Sequence, residues 1–384
     1  MNHKLFKRYP ALVDLQIKAK TRIPHFAWEY LDSGTGSEEC PARNRRAFSR
    51  VTLIPRFMQG EFEPDLETRL FDVDYAAPFG MAPVGLTGLM WPGAEKMLAR
   101  AAAKKRIPFT LSTVATEAPE AVGPLCEGMG WFQLYPPRRR DLRQNLLKRA
   151  QDSGFTTLLV TADVPAGSRR ERQVRAGVSV PPKITWRTLY HCTIRPRWTL
   201  ATLLYGQPRF RGLEKYLDAR DMQNMARYIG RELGGSLDWA YLEEIRDEWK
   251  GPIVVKGLLD VSQARQAAEM GMDGIVVSNH GGRQFDGGPA ALDVLPRIRA
   301  EVGHRIKILF DSGVRSGLDI ARALALGADF VLLGSPFMFG VTVLGQPGGE
   351  HVADILSEDL KNNMTQLGCR EPGELESRLE TPRL

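Results

Sequence analysis

Eight short apolar segments recur from residue 79 onward in this 384-residue chain, and each ends in glycine or in polar residues. Stretches with the spacing of amphipathic helices separate them, as at residues 94–105, 142–152, 262–270 and 318–326. Near-continuous apolar strands that alternate with helices indicate a parallel sheet covered on both faces. Eight such units predict an α/β fold with a closed (β/α)8 TIM barrel. The predicted strands are residues 79–83, 109–112, 131–135, 158–163, 253–257, 274–279, 306–311 and 330–334.

The main alternative for this alternating pattern is a doubly wound open sheet. Such a sheet binds dinucleotides through a G-x-G-x-x-G turn after its first strand, and neither this turn nor a Walker A loop is present. The chain is therefore interpreted as a single domain over residues 1–384. Helices are predicted at residues 11–20 and 24–31 before the barrel, and at 351–367 after a loop at 345–349.

Charge and cysteine content exclude several functional classes. The formal net charge of +7 suggests acidic partners, but no basic strand motif with interleaved aromatic residues supports nucleic-acid binding. No cysteines have C-x-x-C or zinc-site spacing, so we predict a cytoplasmic chain with no metal site and with reduced, buried thiols. The first 20 residues are too interrupted by charge for a secretory signal, and no apolar run has the length of a membrane-spanning helix. The cysteines are Cys40, Cys126, Cys192 and Cys369.

Polar side chains end nearly every predicted strand. In a barrel of this type the carboxyl ends of the strands form the active face, so these side chains are expected to converge there. A single polar residue after an apolar run is weak support for a site, but a polar residue after nearly every run is much stronger. These residues are Ser112, Gln133, Tyr135, Thr161, Asp163, Lys256, Ser278, His280, Arg283, Asp311 and Arg315.

Residues 278–284, Ser-Asn-His-Gly-Gly-Arg-Gln, follow the sixth apolar run and carry the strongest chemical signal. The imidazole of His280 can accept a proton near neutral pH, and the guanidinium of Arg283 can bind a carboxylate through two parallel hydrogen bonds. The alternative is a turn in which the two side chains only satisfy each other. The density of glycine and amide residues around them favours a binding site.

Small-residue turns follow the seventh and eighth strands, at residues 311–317 and at Gly334-Ser335. Barrels often bind a phosphate group at this position, where backbone N–H groups and a helix N-terminus face the ligand. Arg315 would add positive charge. Two ordinary tight turns are the alternative, but their place in the strand order favours a phosphate site.

Residues 176–220 form a long insertion after the fourth strand. Residues 181–217 contain seven basic residues against the single acidic Glu214, and Trp, Tyr and Leu residues are interleaved with them. This composition suits the surface of an anionic bilayer. It is equally compatible with an active-site lid whose aromatic side chains pack on the barrel.

On these residues the chain resembles the FMN-dependent 2-hydroxy acid dehydrogenases and oxidases, the family of glycolate oxidase, L-lactate dehydrogenase and mandelate dehydrogenase. The resemblance extends from about Tyr9 to Cys369. Residues 278–284 are similar to the highly specific signature of the family's active site, and residues 132–135, 255–257 and 311–315 are similar to further family motifs in the same order. The family fold is the barrel that the strand pattern predicts.

The resemblance implies FMN as cofactor and a small 2-hydroxy acid as substrate, which is oxidised to the 2-oxo acid. It implies that His280 is the general base and that Asp163 orients its imidazole. The groups implied for the substrate are Tyr30, Tyr135, Arg170 and Arg283. The groups implied for FMN are Pro83, Val84, Gly85, Ser112, Gln133, Thr161, Lys256, Ser278, Asp311, Ser312, Gly313, Val314, Arg315, Gly334 and Ser335.

Three positions depart from the family pattern. Ser335 stands where members usually have arginine, which removes one contact with the phosphate group. Val84 replaces a threonine, but its contact with the flavin is through backbone. Val114 stands where glycolate oxidase has a bulky aromatic residue, so we expect a larger substrate than glycolate: lactate, a longer aliphatic 2-hydroxy acid, or a mandelate-like acid.

The insertion looks like the corresponding segment of membrane-associated bacterial lactate and mandelate dehydrogenases. This similarity predicts a peripheral enzyme on the inner face of the cytoplasmic membrane that passes electrons to quinone. The close alternative is a soluble oxidase that passes electrons to oxygen, and a more distant one is a non-catalytic FMN-binding barrel. Family members are often homotetramers, which the resemblance extends to this chain as an analogy.

Overall fold

Eight parallel strands form a closed barrel in the computed structural model, which describes residues 2–178, 185–217, 225–234 and 237–380. Strand order around the barrel follows the chain, and β10 pairs with β3 to close it. The predicted barrel is therefore confirmed. The barrel strands are β3 (Phe79–Met81), β4 (Phe109–Ser112), β5 (Gly130–Leu134), β6 (Thr157–Thr161), β7 (Ile253–Leu258), β8 (Gly274–Val277), β9 (Lys307–Phe310) and β10 (Phe330–Leu333).

The amino-terminal end of the barrel is closed by an antiparallel hairpin, β1 (Thr68–Leu70) and β2 (Val73–Tyr75). Trp131 at the start of β5 is fully buried there and donates a hydrogen bond from Nε1 to the Tyr75 hydroxyl at 3.0 Å. The ring of Phe330 lies against both of these rings. Apolar side chains fill this end of the barrel, so the carboxyl ends of the strands remain for a binding site.

Helices cover the outside of the barrel, as expected for strands that are buried on both faces. The described helices between strands and after the barrel are Thr87–Met90, Ala94–Lys105, Pro119–Val122, Arg140–Asp152, Val261–Glu269, Ala291–Val302, Gly317–Ala325, Ser335–Leu344 and Gly348–Leu367. Four further helices precede the barrel: His3–Arg8, Leu12–Arg22, His25–Asp32 and Glu39–Ser49. The predicted helices at 11–20, 24–31 and 94–105 agree with these bounds within two residues.

The last long helix begins at Gly348, three residues before the predicted start. The loop predicted at residues 345–349 is therefore wrong in its second half. Gly348 packs so closely on Gly340 that a Cβ atom would lie 2.2 Å from the Gly340 carbonyl group. The glycines that suggested a loop instead allow two helices to touch.

The chain between β6 and β7, which contains the insertion, is mainly helical in its described parts, with Glu171–Ala176, Trp186–Thr193, Pro196–Tyr205, Met225–Glu232 and Trp239–Glu248. Residues 179–184 and 218–220 of the predicted basic and aromatic segment lie outside the described residues. Trp198 is buried and donates a hydrogen bond to the Leu89 carbonyl at 3.1 Å, which attaches the insertion to the barrel.

A buried carboxylate adds a second attachment point. Glu117 accepts a hydrogen bond from the Tyr205 hydroxyl at 3.0 Å, and it pairs with Lys96 and Arg211, each at 3.1 Å.

The four cysteines are free, but Cys192 in the insertion is only half-buried, so the prediction that all four are buried is wrong there. Its helix lies on the surface, which the sequence did not indicate.

Candidate active site

A cavity of about 1130 Å³ opens at the carboxyl ends of the barrel strands. Parallel strands end at the same rim, so side chains far apart in sequence come together there. The predicted site residues that line this cavity are Tyr30, Pro83, Val84, Gly85, Gln133, Tyr135, Thr161, Arg170, Lys256, His280, Arg283, Asp311, Ser312, Gly313, Val314, Arg315, Gly334 and Ser335. The remaining three, Ser112, Asp163 and Ser278, are not among the lining residues and support side chains that are.

His280 follows β8 and faces the cavity. Its Nδ1 lies 2.9 Å from Oδ1 of Asp163, which follows β6. An ionised carboxylate only accepts hydrogen bonds, so this contact assigns the proton to Nδ1 and leaves Nε2 as the basic nitrogen. His280 has φ 58°, and its backbone N–H donates to the Ser278 hydroxyl at 3.0 Å. This left-handed backbone is uncommon outside glycine and is consistent with a side chain oriented by its surroundings.

Burial and neighbouring charges shift the pKa values of this pair. Burial lowers the pKa of His280 below its ordinary value, and the carboxylate of Asp163 only partly opposes the effect. Burial raises the pKa of Asp163, but the charges of His280 and Lys256 outweigh it and leave this pKa below its ordinary value. At neutral pH the pair is therefore a neutral imidazole beside a carboxylate, which is the form that a general base requires.

Lys256 extends from β7 into the buried base of the site. Its Nζ lies 3.1 Å from Oδ2 of Asp311 and 3.0 Å from the Ser278 hydroxyl, while Oδ2 of Asp163 is 3.9 Å away. Burial lowers the pKa of Lys256, but Asp311 and Asp163 outweigh burial and raise it above its ordinary value. The site therefore contains a fixed ammonium group next to the histidine.

Two guanidinium groups, Arg170 and Arg283, lie on the same cavity wall. Arg283 donates from Nε to the Ser33 carbonyl at 3.0 Å and from Nη2 to the Tyr30 carbonyl. Arg170 donates from Nη2 to Oε1 of Gln284 at 3.1 Å. Burial and the charge of Arg170 lower the pKa of Arg283 to about 10, so Arg283 stays cationic at neutral pH.

Two tyrosines complete this part of the cavity. The Arg283 guanidinium lies 5.7 Å from the centre of the Tyr30 ring. Burial raises the pKa of Tyr135 to about 12, so its phenol is neutral at physiological pH and can donate a hydrogen bond. A cavity with two arginines, two phenols and a neutral imidazole suits a small acid that carries a hydroxyl group.

Ser112, predicted to contact the cofactor, hydrogen-bonds Gln133 at the end of the neighbouring strand. Its hydroxyl donates to Oε1 of Gln133 at 2.7 Å, and Nε2 of Gln133 donates to the Thr161 hydroxyl at 2.8 Å. Ser278 is fully buried between Lys256 and His280. These serines orient lining side chains, a role that strand-end position alone could not separate from direct contact.

The turn after β9 and the start of helix Ser335–Leu344 form the other end of the cavity. Ser312 has φ 86°, and its hydroxyl accepts hydrogen bonds from the N–H groups of Asn279 and Gly281 at 3.2 and 3.1 Å. Arg315 donates from Nη2 to the Ser335 hydroxyl at 3.2 Å. Burial, followed by the charge of Arg45, lowers the pKa of Arg315 to about 10.

The residues present fit an elongated, anionic cofactor such as FMN. One cavity connects the ammonium group of Lys256 with the guanidinium group of Arg315, so positive charge is available for a flavin ring and for a phosphate group. A Cβ atom on Gly85 would lie 2.7 Å from Cγ2 of Val114, so glycine at this position lets the two segments of the cavity wall approach each other closely. The volume of about 1130 Å³ slightly exceeds the roughly 300–1,000 Å³ usual for ligand pockets, as an elongated cofactor with a substrate beside it requires.

Sequence reasoning missed several residues around the cavity. Arg45 lines the end that contains Arg315, and it pairs with Asp319 at 3.0 Å. The side chains of Asn44 and Asn279 exchange two hydrogen bonds, at 2.8 and 2.7 Å. Arg45 and Asn44 both lie in helix Glu39–Ser49, and their partners Asp319 and Asn279 come 274 and 235 positions later, so no local pattern indicates these contacts.

Comparison with known proteins gives the family. The family described as FMN-dependent dehydrogenase matches residues 19–381. The chain is 40% identical to the L-lactate dehydrogenase of Stenotrophomonas maltophilia (strain K279a) over 362 residues, which cover 94% of this chain and 95% of the relative. It is 39% identical to the L-lactate dehydrogenase of Pseudomonas aeruginosa (strain LESB58) over 367 residues, which cover 95% and 96%.

Solved structures of related enzymes share the whole architecture. The monotopic membrane protein (S)-mandelate dehydrogenase superposes with a TM-score of 0.91 at 31% identity, over 96% of this chain and 98% of its own. Mandelate oxidase superposes with a TM-score of 0.83 at 31% identity, over 97% and 98%. The resemblance inferred from sequence motifs is confirmed. The chain belongs to the family of FMN-dependent 2-hydroxy acid dehydrogenases, and its cofactor is FMN.

Proposed function

We propose that this enzyme oxidises an L-2-hydroxy acid of lactate size or larger to the 2-oxo acid and passes the electrons to a membrane quinone. The observation that carries the proposal is one cavity lined by Arg170, Arg283, Tyr135 and His280, whose imidazole is paired with Asp163 behind it. Oxidation of a 2-hydroxy acid to the 2-oxo acid removes one proton and the equivalent of a hydride, that is two protons and two electrons in all. It therefore requires a base, a carboxylate anchor and an acceptor of the hydride equivalent.

The chain's own residues supply the first two of these requirements. Arg170 and Arg283, with Tyr30, bind the substrate carboxylate and so fix the α-carbon beside His280. His280 accepts a proton at Nε2, from the hydroxyl group or from the α-carbon. Asp163 then stabilises the imidazolium, and the neutral phenol of Tyr135 hydrogen-bonds the substrate oxygen.

FMN, when bound, supplies the two-electron acceptor. Lys256, Gln133 and Thr161 would hold its ring, and the buried ammonium group would favour negative charge that develops there. Pro83, Val84 and Gly85 would contact it through backbone. The set proposed for its ribityl and phosphate end is Asp311, Ser312, Gly313, Val314, Arg315, Gly334 and Ser335. Ser112 and Ser278 would act by orienting Gln133 and Lys256.

Apolar residues on the cavity wall support a substrate larger than glycolate. Val114 lines the cavity with Val178, Phe210, Ile229 and Leu233 from the chain between β6 and β7. Such side chains favour an aliphatic or aromatic substituent on the α-carbon, at roughly 25 cal/mol per Å² of apolar surface removed from water. The lactate and mandelate enzymes to which this chain is similar act on substituents of this kind.

Exposed apolar stripes on the insertion support a membrane location. Helix Trp186–Thr193 exposes Trp186, Leu189 and Tyr190, and helix Pro196–Tyr205 exposes Leu200, Leu203 and Leu204. In both helices the spacing is i, i+3, i+4, so each presents one apolar face to solvent. Trp186 is 88% exposed and Leu204 81%, with the exposed Arg187 and Arg197 nearby. Apolar faces flanked by basic residues suit an anionic bilayer surface.

No helix among residues 2–178, 185–217, 225–234 and 237–380 is long and apolar enough to cross a membrane. We propose that the exposed apolar faces of helices Trp186–Thr193 and Pro196–Tyr205, the insertion surface, attach the enzyme to the inner face of the cytoplasmic membrane. The test is vesicle flotation with and without phosphatidylglycerol. Triple substitution of Trp186, Leu203 and Leu204 by serine should abolish flotation. A matched control, Phe57→Ser with Met58→Ser, removes exposed apolar groups elsewhere and should leave flotation unchanged.

The experiment that tests the reaction is an anaerobic titration of the purified holoenzyme. Addition of L-lactate or L-mandelate should bleach the flavin absorbance, and the acid that bleaches it at lower concentration identifies the preferred substituent. A flavin that neither acid reduces would count against the proposed reaction and favour a non-catalytic FMN-binding barrel.

Similarity to mandelate oxidase keeps an oxygen-using oxidase as the second candidate. Stopped-flow mixing of the reduced enzyme separates the two acceptors. We expect reoxidation by a short-chain ubiquinone to be much faster than reoxidation by air-saturated buffer. Rapid reoxidation by oxygen with stoichiometric peroxide would replace the quinone proposal with the oxidase.

A further inference from the structure

We infer that Arg172 is a positioning residue for the substrate carboxylate: it anchors the loop of Arg170 to residues 29–38 and balances the three carboxylates there. This inference rests on the proposed function, because it concerns the two arginines proposed to bind the substrate. Arg172 itself makes contacts away from the reacting atoms, so its effect is exerted through Arg170 and Arg283.

Arg172 contacts three carboxylates at once. Its Nε lies 2.6 Å from Oε2 of Glu29, its Nη1 lies 2.9 Å from Oε2 of Glu38, and its Nη2 lies 3.3 Å from Oδ2 of Asp32. All four side chains are 29% exposed or less. Ion pairs with this degree of burial and several contacts hold their geometry better than an isolated surface pair.

Neighbouring residues extend the same attachment. Glu171 accepts a hydrogen bond from the Gly36 N–H at 3.0 Å, and Gln173 donates to the Ser33 hydroxyl at 3.1 Å. The Arg170 N–H donates to the Thr35 hydroxyl at 3.3 Å. Four successive residues of the loop after β6 are therefore attached to one short N-terminal segment.

That N-terminal segment also holds the second arginine. Arg283 donates to the carbonyl groups of Tyr30 and Ser33, so residues 29–38 set the spacing between the two guanidinium groups. Arg170 has φ 42°, a left-handed backbone that non-glycine residues keep only where the surrounding contacts enforce it. The contacts of Arg172, two residues later, supply that enforcement.

The charges in this cluster balance. Arg170, Arg172 and Arg283 are three cations, and Glu29, Asp32 and Glu38 are three anions. The adjacent pair of Arg169 and Glu171, 3.4 Å apart, adds one charge of each sign. Replacement of Arg172 by glutamine leaves one excess negative charge beside the site where a carboxylate must bind. The repulsion should weaken binding of an anion about tenfold, and it should leave a neutral ligand of the same shape almost unaffected.

The test compares a charged with an uncharged ligand on the holoenzyme. Pyruvate, phenylglyoxylate and pyruvamide are titrated anaerobically while flavin absorbance is recorded, and KM and kcat are measured with L-lactate and L-mandelate. For Arg172→Gln we expect the Kd of both 2-oxo acids and the KM of the oxidised substrate to rise about tenfold. The pyruvamide Kd and kcat should change less than threefold.

Two further variants separate electrostatics from damage to the fold. Glu38→Gln removes one anion and should tighten binding of pyruvate and phenylglyoxylate, an effect opposite in sign to that of Arg172→Gln. The double variant should return both Kd values to within threefold of wild type. Arg50→Gln breaks an exposed ion pair with Asp293 and serves as the matched control, with no expected change.

Equal weakening of acid and amide binding, or weaker acid binding in Glu38→Gln, would overturn the positioning role. If Arg172→Gln does not fold, the direction in which Glu38→Gln changes the Kd of the 2-oxo acids tests the positioning role by itself. If the wild-type enzyme binds the 2-oxo acids but oxidises neither hydroxy acid, the proposed reaction is wrong. The comparison of acid and amide binding would still decide the role of Arg172. Wild-type enzyme that binds neither 2-oxo acid would overturn both.

Discussion

The two ends of the barrel are built from the same eight strands but have opposite chemistry. At the amino-terminal end, Trp131, Tyr75 and Phe330 pack in an apolar cluster with one internal hydrogen bond. At the carboxyl end, Lys256 and His280 lie among carboxylates, and each ionisable group depends on a specific partner. Apolar contacts are non-directional and tolerant, whereas buried charges require their partners, so stability and chemistry are separated along each strand.

The largest expected effect of a single substitution at the carboxyl end is that of His280→Gln. Loss of the general base should lower kcat about 10⁴-fold, at the upper limit for such a group, while the melting temperature and the flavin spectrum stay close to wild type. The measurement is single-turnover flavin reduction. His304→Gln, an exposed histidine just before β9 at the opposite end, is the matched control. Comparable loss of activity in both variants would break the proposed division between the two ends.

Trp131→Ala tests the amino-terminal end. Removal of this fully buried ring should lower the free energy of unfolding by about 3–5 kcal/mol, because it leaves a cavity and an unpaired Tyr75 hydroxyl. Denaturant unfolding of the holoenzyme measures this change. At temperatures where the variant is folded, KM should be nearly unchanged. Trp186→Ala, on the exposed insertion surface, should change stability by less than about 0.5 kcal/mol.

Ser335→Arg tests whether the carboxyl end can accept more positive charge. The substitution restores the residue that family members usually have, and a charge-assisted contact with phosphate should tighten FMN binding about tenfold. Repulsion from Arg315 limits the gain. Quenching of flavin fluorescence on titration of the apoprotein measures the Kd. Ser49→Arg, at an exposed helix end, is the control, and equal affinity in all three proteins would argue against a phosphate group at Ser335.

The smallest expected effect is that of pH above neutrality. Because burial lowers the pKa of His280 below its ordinary value of 6.5, the free enzyme already contains the neutral base at pH 7. The value of kcat/KM should therefore change little between pH 7 and 8 and fall only as pH drops below 6.5 through the depressed pKa. A fall in kcat/KM centred above pH 7 would show that neighbouring charges, rather than burial, determine the pKa of His280.

Sequence alone predicted most of the barrel, because its strands are visible in the local pattern of apolar and polar residues. Strands buried on both faces read as apolar runs, and closure brings the polar residues that follow these runs to one rim. Local pattern could not distinguish Gln133, which lines the cavity, from Ser112, which orients it, because both simply end a strand.

The insertion shows more clearly what the sequence could not predict. Trp198 and Trp186 occur in the same basic, aromatic segment, yet Trp198 is buried against the barrel and Trp186 is exposed. Composition could not decide between a packed lid and a surface segment, because both are built from the same residue types. Only the path of the chain determines which face of each helix meets the barrel.

The sequence by itself determined the strand order, the family signature at residues 278–284 and the set of polar residues at the rim, since these depend on periodicity and on short motifs. Tertiary structure alone decided which partners three distant cations meet: Arg45 with Asp319, Arg283 with the carbonyl groups of Tyr30 and Ser33, and Arg172 with three carboxylates. Such pairs are fixed by the backbone paths of loops that no local pattern specifies, and a buried charge is stable only where those paths bring its partner.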